Sequence, residues 1–183
     1  EVVFFAVGFE TTAPANALSV LHAEKEGLNN YSILASHVLV PPAMEAILDD
    51  ELCSIDGFLA AGHVCAIMGI QEYYPLVEKY KIPIVVTGFE PLDLVQGIYM
   101  AVKQLEERKY KLENQYARIV KEHGNKAAID VIQKVFEVGN REWRGIGEIP
   151  NSGYVIKEAY RKYDAESKFN ISYIKVPENA DCI

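Results

Sequence analysis

Val2-Val3-Phe4-Phe5-Ala6-Val7, followed by Gly8-Phe9-Glu10-Thr11-Thr12-Ala13-Pro14, decides how this chain is read. The first six residues are an unbroken β-prone apolar run, the pattern of a strand covered on both faces, and Gly8 ends it. Thr11 or Thr12 can then cap a helix, and Pro14 suits its first turn. Ala17, Leu18 and Leu21 supply an apolar stripe before Gly27 stops it. The same plan recurs further on. Pro83-Ile84-Val85-Val86-Thr87 runs into Gly88-Phe89-Glu90-Pro91 and a helix whose stripe is Val95, Ile98, Val102 and Leu105.

Between these two copies, Tyr31 to Val40 reads as a second strand and loop, and Pro41-Pro42 presets a short helix bearing Ala43, Met44, Ile47 and Leu48. Ile55 to Ala60 reads as a third strand with Gly62-His63-Val64 in the loop behind it, and a helix follows from Gln71 to Lys79. Strands alternating with helices predict an α/β fold, a parallel sheet with helices on both faces in the Rossmann-like manner, because parallel neighbours need crossover connections. Residues 1–109 are expected to form this domain, with both Gly-Phe-Glu turns on one sheet edge. Residues 110–183 are read as a helical crossover segment and part of a second domain. In that segment Tyr110 to Glu137 is helical with a break at Gly124-Asn125. Trp143 to Gly147 and Pro150 to Gly153 are loops, and Val155 to Tyr163 is helical again.

The chain has 183 residues, half of them hydrophobic, with 18 basic against 26 acidic side chains and a net charge of -8. That balance, with no run of four basic residues, argues against nucleic acid or an anionic membrane as partner, since both need clustered Lys and Arg. No apolar run approaches the roughly 20 residues that cross a bilayer. The cytoplasm is the compartment expected. Cys53, Cys65 and Cys182 are odd in number and lack a CxxC pair, so reduced thiols are expected rather than a disulfide framework. The chain opens at Glu1, directly in a strand, and is read as a piece of a longer protein.

Ligands of open parallel sheets bind beyond the carboxyl ends of the strands, and every candidate motif lies there. Gly8 to Thr12 offers a carboxylate, two hydroxyls and a helix start; Ser36-His37 and Gly62-His63 add imidazoles, and Glu90 a second carboxylate. Two Glu and two His could bind a metal or shuttle protons. The plainer readings stand beside this one: Glu10, Thr11 and Thr12 as a helix cap, His37 and His63 as hydrogen-bonded loop residues, and Cys53 and Cys65 as small core residues. Neither GxGxxG nor GxxxxGK[ST] occurs.

Gly8-Phe9-Glu10-Thr11-Thr12-Ala13-Pro14 resembles the GFETTxP signature of the HypD family of NiFe-hydrogenase maturation factors. Ser36-His37 with Pro41-Pro42-Ala43-Met44, Gly57-Phe58-Leu59 with Gly62-His63-Val64, and Thr87 to Pro91 with Asp93-Leu94 resemble the same family in the same order. So do Glu113 to Tyr116 with Arg118, Gly124-Asn125, and Trp143 to Gly147 with Ser152-Gly153. The resemblance implies a scaffold for assembly of the Fe(CN)2CO group of NiFe hydrogenases. It also implies a HypC-like chaperone that brings iron and a HypE-like partner that donates cyanide. It gives Glu10, Thr11, Thr12 and His63 a working role, with Gly8, His37, Gly62 and Glu90 around them in a cleft flanked by two α/β domains.

The family's 4Fe-4S cluster and transient iron are expected in the full-length protein and no cofactor in this segment, because such a cluster takes about four ligands. Cys182 falls where the family's cysteine-rich C-terminal region begins, as a cluster ligand or its neighbour. The CGTHE and GPGCPVC motifs are absent from these residues, and Ala61-Gly62-His63-Val64-Cys65 stands where the family usually reads PGHVS. Two rival readings remain open: a metal-dependent α/β enzyme using Glu10, His37, His63 and Glu90, and a pure protein-docking module.

Overall fold

A computed structural model describes residues 1–171. The fold is α/β, with parallel sheets flanked by helices, a helical segment and an antiparallel hairpin. Two compact units divide it, residues 1–42 with the segment from 131 onward, and residues 43–130.

In the first unit, β1 (Val2–Gly8) and β2 (Tyr31–His37) pair in parallel from Val2 opposite Tyr31 to Gly8 opposite His37, joined by α1 (Ala13–Lys25). Pro14 lies in the first turn of α1, where a missing N–H costs nothing, and Ala13, Ala17, Val20 and Ala23 are its buried face. After β2 the chain enters α2 (Val40–Leu48), whose first turn contains Pro41 and Pro42.

The unit is completed by residues that sequence patterning misplaced. Residues 136–156, read as the end of one helix, then loops, then the start of another helix, form a β-hairpin of β6 (Phe136–Trp143) and β7 (Gly147–Ile156). Its turn rests on Gly145 and Gly147, at φ +81° and +100°, a backbone conformation that side-chain-bearing residues rarely adopt. The hairpin meets β2 through an antiparallel bridge between Val38 and Gly153, and the Leu39 N–H donates to the Ser152 carbonyl at 2.8 Å. Gly153 has to be glycine at this contact, since a Cβ would strike the His37 carbonyl oxygen and the Arg141 side chain. A 3-10 turn over Glu158–Tyr163 buries Tyr160 and Tyr163, and α7 (Ala165–Phe169) is capped by the Asp164 carboxylate.

In the second unit, β3 (Phe58–Ala61), β4 (Ile84–Thr87) and β5 (Leu112–Asn114) form a parallel sheet with β4 in the centre and wholly buried. The two Gly-Phe-Glu turns therefore belong to different sheets, not to one edge. Gly62-His63-Val64, read as loop, open helix α3 (Gly62–Met68), and a 3-10 turn (Gln71–Tyr73) leads into α4 (Tyr74–Tyr80). Helix α5 (Pro91–Glu106) follows β4 and lays Gly97 against Thr87, with no room for a Cβ. The helix expected over 110–137 is reduced to α6 (Lys126–Val135), because Leu112–Asn114 is drawn into the sheet as β5. Three residues of strand give no readable period, so tertiary pairing decided that segment.

Candidate functional site

Gly8, Glu10, Thr11, Thr12 and His37 come together at the carboxyl ends of β1 and β2. Gly8 turns the chain at φ +148°, and a Cβ there would collide with Thr12 Oγ1. That tight turn sends Glu10 inward to 1% exposure. Its Oε1 accepts from the Val40 N–H at 2.8 Å, so the carboxylate ties down the first residue of α2. A carboxylate at a helix N-terminus is favoured by the helix dipole, and a hydrogen bond to a charged group contributes about 1.5–3 kcal/mol. Thr12 occupies the N-cap position of α1, yet its hydroxyl donates back to the Phe9 carbonyl at 3.2 Å and makes no cap bond to the helix. Thr11 is half-buried beside it.

His37 is fully buried. Its ring lies 5.6 Å from Phe136 and 6.5 Å from Tyr154 between centroids, and Nε2 is 2.9 Å from Asn16 Nδ2. That pairing fits a neutral ring accepting at Nε2. Burial, and then the nearby Arg141 guanidinium, lower its pKa from 6.5 to about 4. Arg141 reaches across from β6 to donate to the carbonyls of Ala35, at 3.0 Å, and Tyr154. Ser152, also fully buried, accepts from Trp143 Nε1 at 2.9 Å and donates to the Ile149 carbonyl at 2.7 Å. Trp143 and Ser152-Gly153 thus brace the hairpin that encloses His37.

Gly62, His63 and Glu90 lie at the carboxyl ends of β3 and β4 in the second unit. Gly62 opens α3 so close to β4 that a Cβ would meet the Thr87 carbonyl oxygen and the Tyr116 ring. His63 is exposed, its ring centroid 4.8 Å from that of Phe89. Cys65 points the other way and is fully buried, the small core residue of the plainer reading. Glu90 is the N-cap of α5 without a cap bond, its side chain 80% exposed and 3.8 Å from Arg118. The two Gly-Phe-Glu turns therefore use their carboxylates oppositely, Glu10 inward and Glu90 outward.

Sequence reasoning assigned no part to the residues that organise this second turn. Asp93 is buried and receives both nitrogens of Arg118, at 2.7 and 2.6 Å, and Gln115 Nε2 at 2.9 Å. Those bonds, Arg118 first and then Gln115, hold its carboxyl at a pKa of about 2. Arg118 also covers the Tyr116 ring at 4.4 Å. Both stood in the family motifs without a role: Asp93 also had a local signal, three residues after Glu90 at the spacing of a capping box, whereas Arg118, 25 residues from Asp93, had no local one.

Among the described residues, no group of three or more His, Cys, Asp or Glu is arranged to hold a metal ion. Glu10 and His37 belong to one unit, His63 and Glu90 to the other. Cys53 and Cys65 form no disulfide, and Cys182 lies outside the described residues. Also among the described residues, no helix is long and apolar enough to cross a membrane.

Parallel strands ending in glycine, aromatic and carboxylate turns, with the carboxylate of the first buried against the next helix, define an α/β protein whose distinctive residues gather at strand ends. The chain belongs to the HypD family: the pattern described as "HypD: Hydrogenase formation hypA family" matches residues 1–183. It is 47% identical over 174 residues to the hydrogenase maturation factor HypD of Rhodobacter capsulatus, covering 94% of this chain and 46% of that one. To HypD1 of Bradyrhizobium diazoefficiens it is 44% identical over 189 residues, covering 100% and 50%. A putative hydrogenase expression/formation protein of Methanocaldococcus jannaschii is 41% identical over 184 residues, covering 100% and 51%. The chain spans about half the length of these relatives.

Proposed function

We propose that the intact protein to which these residues belong is a NiFe-hydrogenase maturation factor, a cytoplasmic scaffold on which the Fe(CN)2CO group is assembled. A HypC-like chaperone brings the iron, which is cargo, and a HypE-like protein donates the cyanide. The observation that carries this reading is the family match over residues 1–183.

Within that task the two strand-end turns do different work. Glu10 has 1% exposure and touches no surface ligand directly. It acts as a positioning residue that holds the start of α2 against the Gly8 to Thr12 turn. His63 is the accessible imidazole, set on the Phe89 ring, and is the group able to give or take a proton from a bound ligand or partner. Asp93 and Arg118 pair beside the Phe89–Glu90 turn whose ring His63 rests on. The family's 4Fe-4S cluster supplies electrons when bound, but the residues of this chain do not fit it: three cysteines are fewer than the roughly four thiolates a cubane needs. Its remaining ligands lie in other parts of the full-length protein.

Glu10→Gln in the intact protein tests the assignment of Glu10. The amide oxygen can still accept from Val40, so the tie to α2 is kept while the negative charge is gone. We expect a folded protein with its cluster in place and hydrogenase maturation near the wild-type level, whereas Glu10→Ala, which removes the tie, should leave little. Loss of maturation in Glu10→Gln, or wild-type maturation in Glu10→Ala, would refute the positioning role.

A further inference from the structure

His63 and Phe89 each follow a glycine, and both glycines close on one side chain. A Cβ at Gly62 would lie 2.7 Å from Tyr116 Cδ1, and one at Gly88 would lie 2.8 Å from Tyr116 Cε2. These atoms are opposite corners of the ring, so Tyr116 fills the gap between the turn that opens α3 and the turn that leads into α5. Arg118 lies across the same ring, 4.4 Å from its centroid, and gives both terminal nitrogens to Asp93. Gln115 accepts from the Gly88 N–H at 3.4 Å and donates to Asp93 at 2.9 Å, and Asp93 also takes a backbone hydrogen bond from Glu90. The amides on either side of Phe89 are thus tied to one network.

The pair above this network is open to solvent. Phe89 is 59% exposed and His63 is exposed, with ring centroids 4.8 Å apart. Burial does not hold such a pair, so its geometry depends on the two turns beneath it. Working side chains are held in place by neighbours that are themselves locked by packing and hydrogen bonds.

We propose that Tyr116 is the positioning residue of the His63–Phe89 pair. Its ring spaces the two glycine turns, and Gln115, Asp93 and Arg118 hold that ring and the Phe89 turn together. The consequence for maturation rests on the reading of His63 as the working imidazole; the placement of His63 does not.

The intact gene product labelled with carbon-13 in histidine supplies the test, its His63 ring resonance assigned by loss in His63→Gln. Phe89→Leu should displace that resonance and so mark the position of an imidazole with no ring beside it. Tyr116→Leu should move it most of the way there, while Tyr116→Phe, which keeps both ring contacts, should leave it at the wild-type position. Arg118→Gln, at a half-exposed residue, should move it in the same direction and serves if Tyr116→Leu does not fold. A resonance that Phe89→Leu leaves in place, or that the folded Tyr116→Leu or Arg118→Gln leaves in place, overturns the proposal, as does an equal displacement in Tyr116→Phe. Hydrogenase maturation lost in His63→Gln and Tyr116→Leu but kept in Tyr116→Phe supports the positioning and the role of His63 together. Normal maturation in His63→Gln contradicts the role of His63 alone, and the positioning then stands or falls by the resonance.

Discussion

Acidification should destabilise the first unit through His37. The ring is buried neutral with a pKa of about 4, against 6.5 when it is exposed in the unfolded chain. A histidine whose folded pKa is depressed contributes stability that is complete above pH 6.5, falls as the pH drops from 6.5 to about 4, and is constant below that. The gap of roughly 2.5 pH units, at about 1.4 kcal/mol each, comes to about 3 kcal/mol. Between pH 7 and pH 4.5 this amounts to about 2 kcal/mol. The assay is urea unfolding followed by the fluorescence of Trp143, the one tryptophan in the sequence, which sits on the hairpin that encloses His37. His37→Gln keeps a polar group for Asn16 and cannot titrate. Wild type should lose about 2 kcal/mol more than the variant over this pH range. Equal losses in both proteins would refute the claim that a buried neutral His37 sets the acid sensitivity.

Two further outcomes concern the second unit. The Asp93 carboxyl is depressed to about 2, so its contribution is present above the ordinary carboxylate range and lost as the pH falls toward 2. Asp93→Asn should weaken protection of the β4 and α5 amides at pH 7 and remove the part of the acid transition that lies below pH 4. Hydrogen exchange across residues 84–106 measures both. Gly62→Ala should lower Tm, because the new methyl group meets the backbone of Thr87 and the Tyr116 ring; overpacking of this kind costs about 1–3 kcal/mol. An unchanged Tm would show that α3 can shift away from β4 at little expense.

Apart from α3, strand and helix order over the first hundred residues was legible because the strands there are apolar runs followed by Gly or Pro. Those residues act locally, so the sequence alone reveals them. The hairpin was not legible: Gly139, Gly145, Gly147, Pro150 and Gly153 punctuate it, and its pairing is sustained by contacts far away in sequence, such as Arg141 to Ala35. β5 was hidden for the same reason, three residues held only by β4. At the candidate site, the Gly-Phe-Glu turns were visible as motifs. The opposite directions of Glu10 and Glu90 were not, because the first carboxylate is taken by the distant Val40 N–H, while the second makes no cap bond and stays exposed 3.8 Å from Arg118. Burial of His37 likewise depends on Phe136 and Tyr154, about a hundred residues away on the unseen hairpin.

The central claim, that these residues belong to a working hydrogenase maturation factor, is tested most directly by complementation. The intact gene is expressed in a strain that makes a NiFe hydrogenase but lacks its own HypD, and the purified hydrogenase is examined by infrared spectroscopy for iron-bound cyanide and carbonyl. The account predicts that both ligand signatures return together with hydrogen uptake. A stably produced, folded protein that restores neither would contradict it.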